Sequence, residues 1–533
     1  MSVRKTSSDR FTADDRVIRS SAHDASLDPL AGGTFQGKEI YTLDQVVGQI
    51  DAGAPLTDGN GVITYTFLTK DHLTGLYNNP TIGFSAAAGL SPFSEVQKAE
   101  ARLSIQLWDD LVPLSFEETN GTGGDIQFSN SLDPAQAYAY YPTKEGWKFQ
   151  SDVFVNDPYV DNVTNLWFGG GGYGSTTLVH EIGHAIGLSH PGQYNYDPNV
   201  TQDYNGLAEY AQDTTQYSIM SYWDGNITGQ FTRNWLTQQT AYSQTPMLHD
   251  VLAVQSVYGA DLTTRTGDTT YGFNSNADRY VYDFGKNPYP NVTIYDAGGV
   301  DTLDLSGFKA GNFIDLHDGA FSSVGQSIPT LSEVNAARAA LGEQLGVSLR
   351  VWTQRDLDAA VRDGLPGITK AIAADTGVSG VAATEYMNLS IAYGTVIENA
   401  IGGSARDVIW GNDVANRLEG RGGNDVLNGF AGSDTLVGGQ GADTFVFSTL
   451  ERGDTILDFA RGDKIDLSQL DANSKAVRDQ AFTFIGNAAF TKKAGELRYD
   501  GSTLTGDVNG DGVADFAVSI ANHAALTSAD FIL

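Results

Sequence analysis

The 533-residue chain contains no cysteine. That excludes a disulfide framework, a thiolate metal site, a cysteine nucleophile and a thiol that masks a metal. Positive charge is scarce: 32 Lys and Arg face 65 Asp and Glu, leaving a formal charge of −33. A surface of that sign does not follow phosphate backbones, so nucleic acid and anionic membrane are excluded as partners. Long apolar runs are also missing, and no stretch reads as a transmembrane helix. The first residues, Met1 to Leu30, lack the apolar segment of a Sec-type signal peptide, so an exported chain would need a different address. Hydrophobic residues still make up 41% of the chain, enough for sizeable cores in about two or three domains. Histidine is sparse, with 8 in all, so any clustering of it is informative.

Three of those histidines fall within His180–His190, which reads His-Glu-Ile-Gly-His-Ala-Ile-Gly-Leu-Ser-His. His180 and His184 lie one turn apart on the same face of a helix. Both imidazoles can therefore reach one zinc ion. Glu181 projects beside that metal, where a carboxylate can take a proton from zinc-activated water. Gly187 lets the chain leave the helix at little steric cost and brings His190 round as third ligand. Three protein ligands leave a fourth position open, the mark of a catalytic rather than a structural site. The bland alternative is a helix with incidental histidines. Glu181 and Gly187, both at the required spacing of the metzincin zinc-protease pattern, argue against it.

Residues 1–36 are polar and weakly patterned, and are expected to form a flexible leader or pro-segment. His23, Asp24 or Asp28 within it are candidates to reach the metal and mask it. A catalytic domain is expected over 37–261. Thr42 is a cap for a helix over Leu43 to Ile50. Val62 to Leu68 alternates as a strand does, and Pro92 to Trp108 has helical spacing. Strands are expected at Ser115–Glu118, Asp125–Ser129, Ala137–Tyr141 and Asp152–Asn156. A glycine-rich stretch, 169–174, leads to Ser175 or Thr176 as cap of the histidine helix. These elements predict an α+β domain with its site at the end of a long helix.

From 262 to 533 the chain turns to short strands, glycine and aspartate. Five nine-residue units follow in register from Gly402 to Val446, with the template G-G-x-G-x-D-x-U-x. The glycines permit left-handed turns. Asp407, Asp425, Asp434 and Asp443, with main-chain oxygens around Gly420, Gly422, Gly438 and Gly441, offer the hard oxygen ligands that suit Ca²⁺. Ile409, Leu418, Leu427, Leu436 and Phe445 point inward and require stacking. Ala405 replaces a loop glycine, and Asn416 stands where an aspartate is expected. An insertion over 326–389 interrupts this texture, with helices expected at Glu333–Gln344 and Asp356–Val361. The run Asp507-Val-Asn-Gly-Asp511-Gly512 looks like the start of an EF-hand loop, but Val518 occupies the place of its bidentate acid.

The histidine motif, the downstream Ser218-Ile219-Met220-Ser221-Tyr222 and the repeats together resemble the serralysin family of secreted metalloendopeptidases. The resemblance covers roughly 37–325 and 390–533. It implies a metzincin-like catalytic domain followed by an all-β parallel β-roll of the RTX type. It implies that Met220 forms an apolar floor beneath the zinc histidines. Tyr222 would be an extra zinc ligand that swings away to stabilise an oxyanion. Substrate would pair with an edge strand at Ala137, Tyr138, Ala139 and Tyr140, giving broad specificity. Further calcium sites are implied at Arg265, Gly267, Thr269, Asp296, Gly299, Asp301 and Glu398. The terminal Asp530-Phe531-Ile532-Leu533 resembles an uncleaved export signal read by a type I secretion apparatus. The repeats would stay unfolded at low cytosolic calcium and fold outside, where the ion stabilises the native state by mass action.

The reading is a secreted zinc endopeptidase with Glu181 as general base. One alternative is a narrow-specificity processing protease for a cell-surface protein, in which the 326–389 insertion selects substrates or holds the chain at the cell exterior. Another is a calcium-dependent surface module with a silent protease domain. The presence of Glu181 and all three histidines argues against silence.

Overall fold

The structure, a computed structural model, describes residues 26–56, 61–71, 89–121, 123–142, 151–195, 199–476 and 480–533. It corrects the flexible leader over its last part. A 3₁₀ turn, Asp28–Leu30, leads into a two-stranded ribbon of β1 (Thr34–Phe35) and β2 (Lys38–Glu39). Leu27 and Asp28 are buried. The Leu27 amide donates to the Tyr217 hydroxyl at 2.8 Å. The Asp28 carboxylate accepts from Gln212 at 2.9 Å and Tyr393 at 2.6 Å, and pairs with His249 Nε2 at 3.0 Å. Buried hydrogen bonds rather than apolar periodicity hold the segment, which is why its composition reads as unstructured. Asp28 is thus committed away from the histidine motif. His23 and Asp24 lie outside the described residues.

Next comes α1 (Leu43–Ile50), capped by Thr42 as its sequence predicts, with Gln45 completing a capping box. A five-stranded sheet follows, built from β3 (Val62–Phe67), β4 (Ser115–Glu118), β5 (Ile126–Ser131), β6 (Ala137–Ala139) and β7 (Val153–Asn156). Its order is β4-β3-β5-β7-β6, parallel except for β6, which runs antiparallel to β7 and forms one edge. Inserted before β4 is α2 (Glu95–Asp109), capped by Ser94 and Gln97. It packs on α3 (Tyr173–Ala185), where the Trp108 indole donates to the Val179 carbonyl at 3.0 Å. The expected cap of α3 is corrected. The helix starts at Tyr173 behind Gly172 with no side-chain cap, and Ser175 and Thr176 lie inside it. The Ser175 hydroxyl instead donates to the Glu100 carboxylate of α2. Two further helices, α4 (Tyr204–Leu207) and α5 (Leu248–Tyr258), complete this half.

The second half is a coil of short strands alternating between two sheets. One row stacks β8 (Thr270–Gly272), β10 (Thr302–Asp304), β14 (Asn399–Ile401), β16 (Arg417–Glu419), β18 (Thr435–Val437) and β20 (Arg452–Ile456) in parallel. The facing row stacks β11 (Phe313–Asp315), β15 (Val408–Trp410), β17 (Val426–Asn428), β19 (Thr444–Val446) and β21 (Lys464–Asp466). Ile409, Leu418, Leu427, Leu436 and Phe445 are fully enclosed between the rows. Each such side chain contributes about 1.5–3 kcal/mol of burial. Coiling starts before the repeats and outlasts them. The final Phe531–Ile532 strand pairs with β21, so the tail is the last rung of a sheet.

Between β12 (Phe321–Ser322) and β13 (Leu389–Ile391) stand α6 (Leu331–Leu345) and α7 (Gln354–Thr376). The second runs well past its expected end at Val361, with Gly364 and Pro366 inside it. Gly364 lets the helix lie close to its neighbour: a Cβ there would meet the Phe231 ring at 3.2 Å. The 507–512 run falls in a hairpin turn. Asp507 closes a hairpin between strands Thr503–Asp507 and Phe516–Ile520, its two oxygens accepting from the Gly510 and Gly512 amides at 2.6 and 2.8 Å.

Candidate active site

Helix α3 carries His180, Glu181 and His184, and the chain leaves it at Gly187, whose φ is +102°. A Cβ at Gly187 would also meet the Ala54 carbonyl at 2.7 Å, so the turn needs glycine twice over. The turn returns His190 to the helix. Nε2 of His190 lies 3.1 Å from that of His184 and 3.3 Å from that of His180. Each Nδ1 is held by a main-chain carbonyl: Ile219 for His180 at 2.8 Å, Leu188 for His184 at 2.7 Å and Tyr194 for His190 at 2.8 Å.

That pattern tests the fit to a metal. A carbonyl only accepts, so each Nδ1 carries the proton and each Nε2 presents a lone pair. Burial pushes the His180 and His190 rings down to about 4 and about 3, so they are neutral at pH 7. Three lone pairs converging on one another repel unless a cation sits among them. The donor set is all nitrogen and three in number, which suits catalytic zinc. Among the described residues this trio is the group close enough to share one ion.

Glu181 is buried, and its Oε2 has no hydrogen-bond partner. Burial lifts its carboxyl to about 8. Tyr222 is exposed, with its ring 4.4 Å from that of His190 and 6.1 Å from that of His180. Met220 is fully buried under the helix: a Cβ at Gly183 would come within 2.6 Å of its sulfur. The cleft in front is about 940 Å³ and is lined by Ala137, Tyr138, His180, Glu181, Tyr222 and Tyr242, among others. Ala139 and Tyr140 continue the β6 edge beyond it.

Sequence reasoning missed the residues that brace this site. Asp250 accepts from the Ser218 hydroxyl and the Ile219 amide, both at 2.6 Å, and the Ile219 carbonyl holds His180. Asp213 accepts from the Tyr194 and Ser221 hydroxyls at 2.8 and 2.7 Å and from the Trp223 indole at 3.2 Å. Tyr194 in turn stacks on His190, with ring planes 12° apart. The spacing from Asp213 back to Tyr194 has no local pattern to reveal it.

The repeat aspartates form a ladder. One oxygen of Asp425 accepts from the Asp407 amide at 2.8 Å, and one of Asp443 from the Asp425 amide at 2.9 Å. Asp434, Asp454 and Asp463 continue the pattern through the amides of Asn416, Asp434 and Asp443. Asp454 and Asp463 lie beyond the repeats recognised in the sequence, displaced by two residues from the nine-residue step. The other oxygens of Asp425 and Asp443 are buried without a partner, as cation ligands would be. Burial, with neighbouring carboxylates adding to it, lifts Asp425 to about 8. Gly420 and Gly438 sit against these carboxylates, and Gly422 and Gly441 shape the adjoining turns.

The other expected oxygen cluster lies around Asp301. The Thr269 amide donates to Asp301, and the Asp301 amide to Glu398, both at 2.7 Å. A Cβ at Gly299 would meet the Gly267 carbonyl at 2.6 Å. One Asp301 oxygen is buried and unpartnered. Asp296 accepts from the Tyr271 hydroxyl at 2.7 Å. The guanidinium of Arg265, whose carbonyl is the expected ligand, pairs with Asp110.

Comparison with known proteins adds to this geometry. A family model described as Peptidase M10 serralysin C terminal matches residues 260–341 and 374–533. Metallopeptidase AprA of Pseudomonas marginalis is 38% identical over 93% of this chain and 92% of its own length. Metalloprotease AprA of Pseudomonas entomophila is 38% identical over 96% and 94%. A serralysin of Photorhabdus laumondii is 37% identical over 83% and 81%.

Proposed function

Because the chain belongs to the serralysin family, and is a metalloendopeptidase, we propose that it is a secreted zinc enzyme that cleaves proteins within their chains. The observation that carries this reading is the convergence of three neutral imidazoles, each fixed by a carbonyl, on one point of an open cleft. His180, His184 and His190 hold the ion. Zinc bound there supplies Lewis acidity to the scissile carbonyl and to water. Glu181 takes the proton of the attacking water and delivers it to the leaving nitrogen. Tyr222 donates a hydrogen bond to the developing oxyanion. Substrate lies along Ala137–Tyr140 as an added strand. Residues 37–261 act as the catalytic part and 262–533 as a roll that folds around calcium, held by the aspartate ladder and by the cluster at Asp301 and Glu398. The final residues direct export through a type I apparatus, and the leader keeps the enzyme silent before then. Among the described residues no helix is long and apolar enough to cross a membrane.

The test is zinc content measured together with casein hydrolysis, for wild type and Glu181→Ala. Wild type is expected to hold one zinc and digest casein. The variant should keep the metal and lose roughly 10²–10⁴-fold in rate. A variant that still turns over casein removes Glu181 as base, and a zinc-free wild type removes the site. The narrower reading, a processing protease, draws on the helices α6 and α7, which pack behind one lip of the cleft.

A further inference from the structure

Helices α6 and α7, with the loop between them, span residues 342–373, the stretch that the family model leaves unmatched. They do not stand apart from the site. One lip of the catalytic cleft is the segment 230–243, of which Gln230, Thr232, Thr240, Ala241, Tyr242 and Ser243 face the cavity. Its outer side is gripped by the helical pair. Arg338 of α6 donates to the Thr237 carbonyl at 2.5 Å. Trp352, between the helices, lies under the guanidinium groups of Arg233, Arg338 and Arg350 at 5.9, 5.5 and 5.8 Å. Fully buried Trp235 packs with Ala360 of α7, and Leu365 and Phe231 close round it.

The opposite lip is touched as well. Gln344 of α6 donates to the Leu166 carbonyl at 2.8 Å. Leu166 ends a 3₁₀ turn whose Asn162 and Asn165 hold Gln136, the residue that leads into β6. One helix thus ties both lips together at the same end of the cleft. That end is lined by Tyr173 and Tyr242, whose rings are 5.0 Å apart, and by threonines. Among the described residues no lysine or arginine lines the cleft, and its carboxylates are Glu181 and Asp224.

The direction of a bound peptide follows from β6. Gln136 sits against Thr177 in the first half of α3 at 2.9 Å, whereas the Tyr141 ring is 5.4 Å from that of His184. A peptide paired antiparallel to β6 therefore enters over His184 and leaves towards Tyr173 and Tyr242. Its residues after the scissile bond fall in the clamped end.

We propose that the α6–α7 pair is the specificity element of this peptidase: by fixing the gap between the lips, it selects an aromatic or apolar side chain immediately after the scissile bond. The inference rests on the peptidase reading above. It requires no new chemistry, only a pocket whose width is set from outside the catalytic half. A discrimination set by pocket shape reaches on the order of 10–200-fold.

The experiment uses the full chain carrying Gln344→Ala or Arg338→Met, with Arg362→Ala on the exposed side of α7 as control. Two sets of fluorogenic peptides are compared, one varied only at the residue after the scissile bond and one only at the residue before it. Circular dichroism melts verify folding. Gln344→Ala removes a surface hydrogen bond and leaves the core intact, so it serves even if Arg338→Met fails to fold. The expected result is a change on the order of tenfold in the kcat/KM ratio of Phe to Ala in the first set, with the second set and the control unmoved. An unchanged ratio, an equal fall for every peptide or a shift confined to the second set overturns the proposal. A wild type inert towards all peptides would instead overturn the peptidase reading itself.

Discussion

Asp213 never reaches the histidine cluster, yet Tyr194, which holds His190, donates its hydroxyl to this carboxylate, as do Ser221 and the Trp223 indole. Supporting partners of this kind sharpen metal binding. Asp213→Asn is expected to weaken zinc affinity about 10–100-fold, read by competition with a colorimetric chelator. Unaltered affinity would make the carboxylate dispensable. Gly183→Ala forces a methyl towards the Met220 sulfur and the Trp108 ring, at 2.6 and 3.1 Å. Overpacking of that sort costs about 1–3 kcal/mol, visible as a lower urea midpoint. Glu100 gives a pH test. Burial lifts its carboxyl above the usual range, while the Ser175 hydroxyl and the Gly169 amide oppose that rise. Its contribution to stability is complete below the unfolded value of about 4.3 and is lost as the pH climbs through the raised folded value. Glu100→Gln should therefore melt higher than wild type at pH 7, with the gap closing near pH 4. A gap that widens on acidification would contradict this. The ligands, Glu181 and Gly187 were legible because helical geometry ties them within eleven positions. Gly183, Asp213 and Asp250 were not, since their partners arrive from other elements.

Helices and strands were legible where a local signal existed. The cap at Thr42, the helical spacing from Pro92 to Trp108 and the alternation in β3 each name an element before any tertiary contact forms. Reading failed where context overrides a local rule. Pro366 lies inside α7 although proline disfavours helix interiors, and the histidine helix begins without a capping side chain. The coil was legible through its repeat, but not its reach. Turns before Gly402 and after Val446 keep the stacking while dropping the glycine pattern, as the Asn312 amide on Asp407 at 2.7 Å illustrates. At this scale the stacked carboxylates predict a cation requirement. Chelation should abolish the β-rich circular dichroism of the roll, and added Ca²⁺ should restore it. A roll fully ordered in chelator would refute that dependence.

Across the whole molecule, one apolar cluster runs from Val46 in α1 through α3 and the coil to Phe531. The two halves are therefore not beads on a string. Their second bond is the knot at Asp28, where His249 of α5, Gln212 and Tyr393 of the roll side meet. Burial works against the charged carboxylate, but His249, Tyr393 and Gln212 together bring it below the usual range. Asp28→Ala strips a buried charge from its partners, a loss of about 3–5 kcal/mol. Scanning calorimetry should then resolve two transitions where wild type gives one, and a single unshifted peak would disprove the knot. The position of this aspartate also works as a ruler. An exopeptidase that halts before Ser26 spares Asp28, whereas three bites more would take away the carboxylate that His249, Gln212 and Tyr393 share.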